Sequence, residues 1–505
     1  MKTRLILPML LAAALLAGCE AGAPAGAAGE AAGARRFGTL SLRPCTTGSD
    51  AARVEAFCGA LEVPENRSAP EGRRIDLDIA VLTASGRGGA AEDPVFFLAG
   101  GPGQAATEVA PQIGHALREV RRQRDIVLVD QRGTGGSNPL DCRDADGATI
   151  ELDGTELPDV ESLVAFARRC AASLEGRADP RFYTTAEAVA DLEAVREALG
   201  AERINLVGGS YGTRVAQQYA ARHPERVRSI VIDGVAPNDL VIGGEFAHTF
   251  EDALRLQSQQ CERLPACRER FVADMRAQLR TVMAQLEAAP VEVEYRDAAT
   301  GESRRDTLTA DTVTGLAFMF SYAPQTASLL PLVMDEADQG RYAPLMALTR
   351  MMGEQVGGQI NRGMQWSVLC AEDADRYRAA DAEAEDTLLG PEVAELFFAP
   401  CAVWPHGGRG EAFSAPLRGE LPVLLLSGEL DPVTPPAYAE RVLQALPNGR
   451  HLVLRGQGHG TLGLGCVPKL LAQFIESTDA GALDAECLDS MTYVPPFTSF
   501  NGWDP

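Results

Sequence analysis

The sequence predicts an α/β protein with a mostly parallel central sheet, helices on its faces and a mostly helical insertion. Three observations carry that prediction. Short continuous apolar runs (94–98, 125–129, 204–207, 229–233 and 422–426) recur along the chain, as expected for strands buried on both faces. One of them, Ile204-Asn205-Leu206-Val207, breaks sharply at Gly208 and passes through Gly209-Ser210-Tyr211-Gly212 into a helix expected to begin near Thr213. Between about 238 and 417 the strand rhythm stops and long amphipathic helices replace it.

A chain of 505 residues fits two structural units plus a leader, and 46% hydrophobic with 23% charged residues describes a globular protein with a sizeable core. The formal net charge of −24 excludes a nucleic-acid partner, which needs a basic footprint.

At the N-terminus, Lys2 and Arg4 precede an apolar run, 5–16, that is too short to span a bilayer. It ends in Leu16-Ala17-Gly18-Cys19, which resembles a bacterial lipoprotein signal with Cys19 as the lipidated residue. The resemblance implies an exported protein anchored to a bacterial membrane, and Glu20 is similar to outer-membrane sorting. Residues 20–36, nearly all Ala, Gly, Glu and Pro, read as a flexible tether.

Setting Cys19 aside leaves ten of the 11 cysteines, an even number. None forms a Cys-x-x-Cys pair or has histidine at zinc spacing, so no metal site is expected. In an oxidising compartment they form five disulfides. Sequential pairing is expected, Cys45–Cys58, Cys142–Cys170, Cys261–Cys267, Cys370–Cys401 and Cys466–Cys487, because each pair staples one local loop.

In chain order, 77–82 alternates as an early strand. The run 94–98 ends in Ala99-Gly100-Gly101-Pro102-Gly103, where the backbone can approach a ligand closely. The next strand, 125–129, leads into Asp130-Gln131-Arg132-Gly133-Thr134-Gly135-Gly136-Ser137, and an internal Asp130–Arg132 ion pair is expected to shape that loop. Thr184-x-x-Glu187 fits a capping box for a helix that carries Val189, Leu192, Val195 and Leu199 on one face. That helix feeds the Gly-x-Ser-x-Gly turn, a nucleophile elbow. A Cβ at Gly208 or Gly212 would collide with the adjoining strand or helix. The turn lifts the Ser210 hydroxyl clear of the sheet and aims the Tyr211 N–H at a developing oxyanion.

The three glycine-rich motifs in this order resemble the proline iminopeptidase and tripeptidyl aminopeptidase group of α/β-hydrolases. The resemblance covers the catalytic domain, 37–237 and 418–505, with 238–417 as a helical cap. Ala99 stands where many iminopeptidases carry histidine, which leans toward the tripeptidyl-type branch. The fold implies a second oxyanion donor, the Gly101 N–H, and a triad in the order Ser, Asp or Glu, His. Asp431 is the favoured acid, with Glu429 as rival because both follow the strand 422–427. His459, between glycines on the loop after 451–454, completes the set. In the cap, Glu372 and then Asp373 resemble the family's acidic segment that binds the substrate amine.

The resemblance implies a serine exopeptidase acting on peptides with a free N-terminus, with no cofactor. A carboxylesterase with the same triad and an apolar cap pocket is the alternative, and a surface binding protein that merely keeps the fold is a third reading.

Overall fold

The computed structural model describes residues 33–49, 52–144, 146–150, 159–272, 274–357, 359–378, 386–390 and 392–502. The leader, Cys19 and most of the tether therefore lie outside the described residues.

The chain enters through four antiparallel strands, β1 (Arg35–Phe37), β2 (Leu40–Ser49), β3 (Ala52–Pro64) and β4 (Arg74–Leu82). Arg35 and Arg36, read as the end of the tether, pair with Leu42 and Ser41 and so belong to the sheet. Next come β5 (Val95–Leu98), β6 (Ile126–Val129), β7 (Ile204–Gly209) and β8 (Val227–Asp233), with helices α1 (Ala110–Ala116), α2 (Val160–Ser173), α3 (Thr185–Leu199) and α4 (Tyr211–Arg222) between them.

The insertion follows: α5 (Phe246–Arg263), α6 (Pro265–Arg270), α7 (Met275–Ala288), the hairpin β9 (Val291–Arg296) and β10 (Ser303–Leu308), then α8 (Ala310–Phe320), α9 (Pro324–Ala327), α10 (Leu330–Asp338), α11 (Ala343–Gly357), α12 (Arg362–Glu372) and α13 (Glu392–Phe398). The chain then returns to β11 (Val423–Gly428), α14 (Pro436–Leu443), β12 (Gly449–Leu454) and α15 (Val467–Ser477).

Ten strands form one sheet in the order β1-β2-β3-β4-β6-β5-β7-β8-β11-β12. From β6 to β12 every neighbour is parallel. The carboxyl ends of β5, β7, β8, β11 and β12 therefore share one edge, where open α/β sheets place their ligands. Strands β5 and β6 are apolar and buried at every position, as expected where helices cover both faces of a parallel sheet.

Thr184 caps α3 by accepting from the Glu187 N–H, while Glu187 itself turns outward to Arg67, leaving half of the expected capping box unmade. Gly200 ends the helix in the left-handed conformation. The cap has a core of its own, centred on Phe250, Leu279, Val313, Phe320 and Val333. Helix α12 is different. Its Met364, Trp366, Val368 and Leu369 join the core of the main sheet. The disulfides join Cys45–Cys58, Cys142–Cys170, Cys261–Cys267, Cys370–Cys401 and Cys466–Cys487.

Candidate active site

Ser210 occupies the single residue between β7 and α4, with φ 53° and ψ −124°, a backbone conformation that a side chain seldom adopts. The helix starts at Tyr211, two residues before the expected Thr213. Close packing explains the flanking glycines. A Cβ on Gly208 would lie 2.5 Å from the Gly212 oxygen, and one on Gly212 would lie 2.1 Å from the Leu98 oxygen. The Ser210 N–H donates to the Asp233 carbonyl at 2.9 Å, which fixes the elbow against the end of β8.

Asp431 lies on the loop after β11. Its Oδ1 accepts from the Val433 and Thr434 N–H groups, both at 2.8 Å, and its Oδ2 accepts from Thr434 Oγ1 at 2.9 Å. The same Oδ2 is 2.8 Å from His459 Nδ1. With Nδ1 carrying the proton toward that carboxylate, Nε2 is left as the basic nitrogen. Burial pushes the His459 imidazole down, but the charge and hydrogen bond of Asp431, together with Asp233, outweigh it and hold the ring above its ordinary value. Burial likewise works to raise Asp431, and His459 with the two loop N–H groups brings it below the usual carboxylate range.

Glu429 is committed elsewhere. It accepts from the Gly456 N–H and the Tyr493 hydroxyl, so the rival acid serves the C-terminal segment.

Two further anchors hold the histidine loop. Asp233, buried at the end of β8, accepts from Thr461 N, Thr461 Oγ1 and Leu462 N at 2.5, 2.7 and 3.0 Å. From the cap, the Tyr322 carbonyl accepts from the His459 N–H at 2.7 Å, and the Tyr322 ring meets the imidazole at 5.4 Å in an edge geometry. On the other side, Gly100 faces Ser210: a Cβ there would be 3.1 Å from the serine Cβ. Gly101 follows with φ +106°. The cap covers this loop, because the Asn361 N–H donates to the Gly103 carbonyl at 2.8 Å.

A strained serine at a strand-to-helix turn, with a carboxylate two strands away and the histidine it holds three strands away at the same sheet edge, is matched by a family model described as the alpha/beta hydrolase fold over residues 93–464. The chain belongs to this family. Among curated relatives, serine protease Hip1 of Mycobacterium tuberculosis is 26% identical over 476 residues, covering 88% of this chain and 90% of that one. The tripeptidyl aminopeptidase of Streptomyces lividans is 27% identical over 188 residues, 35% of each chain. Among solved structures, the proline iminopeptidase of Mycobacterium smegmatis aligns over 84% of this chain and all of its own, at 17% identity and a TM-score of 0.39.

In this α/β-hydrolase the motif 130–137 after β6 is scaffolding, and its pairing differs from expectation. Asp130 does not pair with Arg132. It accepts from Thr107 N, Thr107 Oγ1 and Gly136 N, while Arg132 is clamped by Asp191 at 2.6 and 2.8 Å. Gln131 donates to the Tyr211 hydroxyl at 3.1 Å, so the motif orients the residue after Ser210.

Glu372 and Asp373 are both buried, and neither is brought to an open face beside Ser210. Glu372 accepts from Thr185 N at 2.7 Å and Thr185 Oγ1 at 2.8 Å, and that hydroxyl is also 2.7 Å from the Tyr211 hydroxyl. Asp373 takes Arg214 of α4 in a two-pronged contact at 3.0 and 3.2 Å and also pairs with Arg376. The amine-anchoring role given to these acids does not fit that placement. Burial closes both carboxylates to a substrate ammonium, and the pair ties α12 to the elbow helix instead.

Asp233, Thr434 and Tyr322 were not singled out in the sequence. Asp233 offered one signal, an acid followed by glycine at the end of a buried strand. Tyr322 offered none, since nothing local links it to a histidine 137 positions away.

Proposed function

We propose that this chain is a serine peptidase that acts near the free N-terminus of peptides. The observation that carries the reading is the 2.8 Å contact between His459 Nδ1 and Asp431 on the loops flanking the strained Ser210 turn. The names of the relatives, a serine protease and a tripeptidyl aminopeptidase, support a peptide substrate.

In this reading His459 takes the Ser210 proton through Nε2 as the hydroxyl attacks the scissile carbonyl, then returns it to the departing amine. Asp431 holds the tautomer and stabilises the imidazolium. The N–H groups of Tyr211 and Gly101 receive the oxyanion, each contributing on the order of 10²–10³ in rate. Water then hydrolyses the acyl-enzyme along the same proton path. The leader and Cys19 support an exported, lipid-anchored location, which mass spectrometry of the mature N-terminus would test.

Ser210→Ala should abolish both hydrolysis and labelling by a fluorophosphonate while leaving the melting temperature unchanged. The substrate class is tested by comparing a tripeptidyl anilide with its N-acetylated form and with a p-nitrophenyl ester. Preference for the free amine supports the aminopeptidase; activity on the ester alone would move the assignment to a carboxylesterase.

A further inference from the structure

Tyr322 lies in the short link between α8 and α9, where the cap bears on the histidine loop. Its carbonyl accepts from the His459 N–H at 2.7 Å, and the fit is close: a Cβ on Gly458 would stand 2.2 Å from that same oxygen. Two rings fix the direction of the side chain. The His459 imidazole meets it at 5.4 Å and 78°, and Phe318 meets it at 5.5 Å and 84°. The phenol oxygen, one bond beyond the ring, is therefore held beside the Asp431–His459 pair. Burial, and after it the Asp431 charge, push the hydroxyl above its ordinary value.

A tyrosine in such surroundings ordinarily matches its hydroxyl within the protein. Tyr183 bonds Glu65, Tyr211 bonds Gln131 and Thr185, Tyr219 bonds Glu193, and Tyr438 bonds Glu245. Among the described residues the Tyr322 hydroxyl has no hydrogen-bond partner, and it is not sealed in, since the residue is only half-buried. Packing does not call for that oxygen. Phenylalanine would give the same ring contacts and the same backbone bond, with no polar group to desolvate. An unmatched hydroxyl with an open side, next to the base that would take the serine proton, is placed to meet whatever occupies the site.

The neighbours select what it can meet. The raised hydroxyl keeps its proton at working pH and so can donate. A second anion would be repelled by Asp431. A cation would oppose the imidazolium that forms when His459 takes a proton. A neutral acceptor avoids both penalties, and in a peptide that acceptor is a backbone carbonyl.

We propose that Tyr322 is a substrate-binding residue whose hydroxyl donates to a backbone carbonyl of the peptide lying at Ser210. The proposal rests on the peptidase reading for the identity of that carbonyl.

The test compares the wild type with Tyr322→Phe, which removes one oxygen and keeps the ring and the backbone bond to His459. One substrate set adds a backbone carbonyl at a time: aminoacyl, dipeptidyl and tripeptidyl anilides, then the tripeptide joined to alanine amide. The other set needs no peptide cleavage. It pairs p-nitrophenyl N-acetylglycinate with p-nitrophenyl pentanoate, whose acyl chains match in length and differ in the amide. Tyr322→Phe should lower kcat/KM by about 5- to 50-fold from the member that first supplies the contacted carbonyl onward, mainly through KM, and affect the shorter members much less. The position of that step identifies the carbonyl. If peptides are inert but the amide-bearing ester loses its advantage in the variant, the hydroxyl contact stands and the peptidase reading falls. If the variant slows every substrate and fluorophosphonate labelling alike, the oxygen acts on His459 and the proposal is overturned. It is equally overturned if no member of either set responds.

Discussion

Asp431 and Asp373 are both buried carboxylates, both supplied with backbone donors, and both bonded to a nitrogen base on another element. They differ in the base. Asp373 faces Arg214, a group that stays protonated at any pH a protein survives, so the pair can only hold two helices together. Asp431 faces His459, whose proton comes and goes near neutrality, so the pair can pass charge to a third group. The position of each pair agrees with this. The Arg214 pair is sealed between α4 and α12, with both side chains fully buried, while the histidine stays 14% exposed at the sheet edge. Burial beside an opposite charge is thus no sign of chemistry in itself. What sets the His459 pair apart is an imidazole partner that keeps a face open to solvent.

The contrast is broken most severely at Asp431. Asp431→Asn keeps an oxygen for the Val433 and Thr434 N–H groups but no longer enforces the histidine tautomer. A loss of about 10³–10⁴ in kcat is expected, with folding retained. Steady-state kinetics beside a thermal melt measures both. A loss below about tenfold would mean that another group, with Thr434 Oγ1 at 3.1 Å from Nδ1 the nearest, orients the ring.

Asp373→Asn should do the reverse. It leaves Arg214 buried beside a neutral amide, and breaking such a pair costs roughly 3–5 kcal/mol of stability. Activity per folded molecule should survive, because the pair touches no reacting atom. Urea unfolding followed by active-site titration separates the two. Unchanged stability with a lost kcat would place Asp373 in the chemistry and erase the distinction drawn above.

How far the sequence revealed this difference depended on distance along the chain. Ser210 with its glycines, the apolar strands and the loop positions of Asp431 and His459 are local patterns, and each sits at the sheet edge that its strand implies. Strands β2 and β3 were not legible. They are partly exposed and mix polar with apolar residues, so tertiary pairing decides them and local pattern does not. The acidic segment at 372–373 looked like a binding site because sequence displays charge but not partners. Thr185 and Arg214, which occupy those carboxylates, are more than 150 positions away. The same blindness hid Asp233, whose three hydrogen-bonding contacts are with the histidine loop 228 and 229 positions later.

A smaller effect is expected at Asp233. Its charge helps to keep the His459 imidazole above its ordinary 6.5, so the acidic limb of the kcat/KM profile should lie above that pH in the wild type. Asp233→Asn keeps the acceptor for the loop N–H groups and removes the charge. The imidazole then loses its proton at lower pH, and the acidic limb should move down. The maximal rate should fall by about tenfold or less, as for loss of one charge-assisted contact to the loop. A lower rate with the limb unmoved would reduce Asp233 to a purely mechanical anchor.

The smallest effect is expected at Glu372, and it sharpens the comparison by asking what a buried acid does when its base is not quite in contact. Arg214 is 3.8 Å from Oε2, too far for a hydrogen bond. Burial raises the Glu372 carboxyl, Arg214 opposes this, Asp373 adds to it, and the outcome is about 7 in place of 4.5. A folded-state value above the unfolded one means that the folded protein holds this proton more tightly. The stabilisation is complete below about 4.5 and disappears as the pH rises through about 7. Glu372→Gln copies the protonated form at every pH: the amide oxygen still accepts from Thr185 N, and the amide nitrogen donates to Thr185 Oγ1. The variant should therefore match the wild type near pH 4.5 and become the more stable of the two above pH 7, as thermal melts across that range would register. Activity on free-amine peptides should change by less than about tenfold, because no charged contact to substrate is lost. A selective loss on free-amine substrates, with N-blocked peptides and esters untouched, would instead require the Thr185 contacts to open during binding, and the sealed pair would then belong to the substrate site.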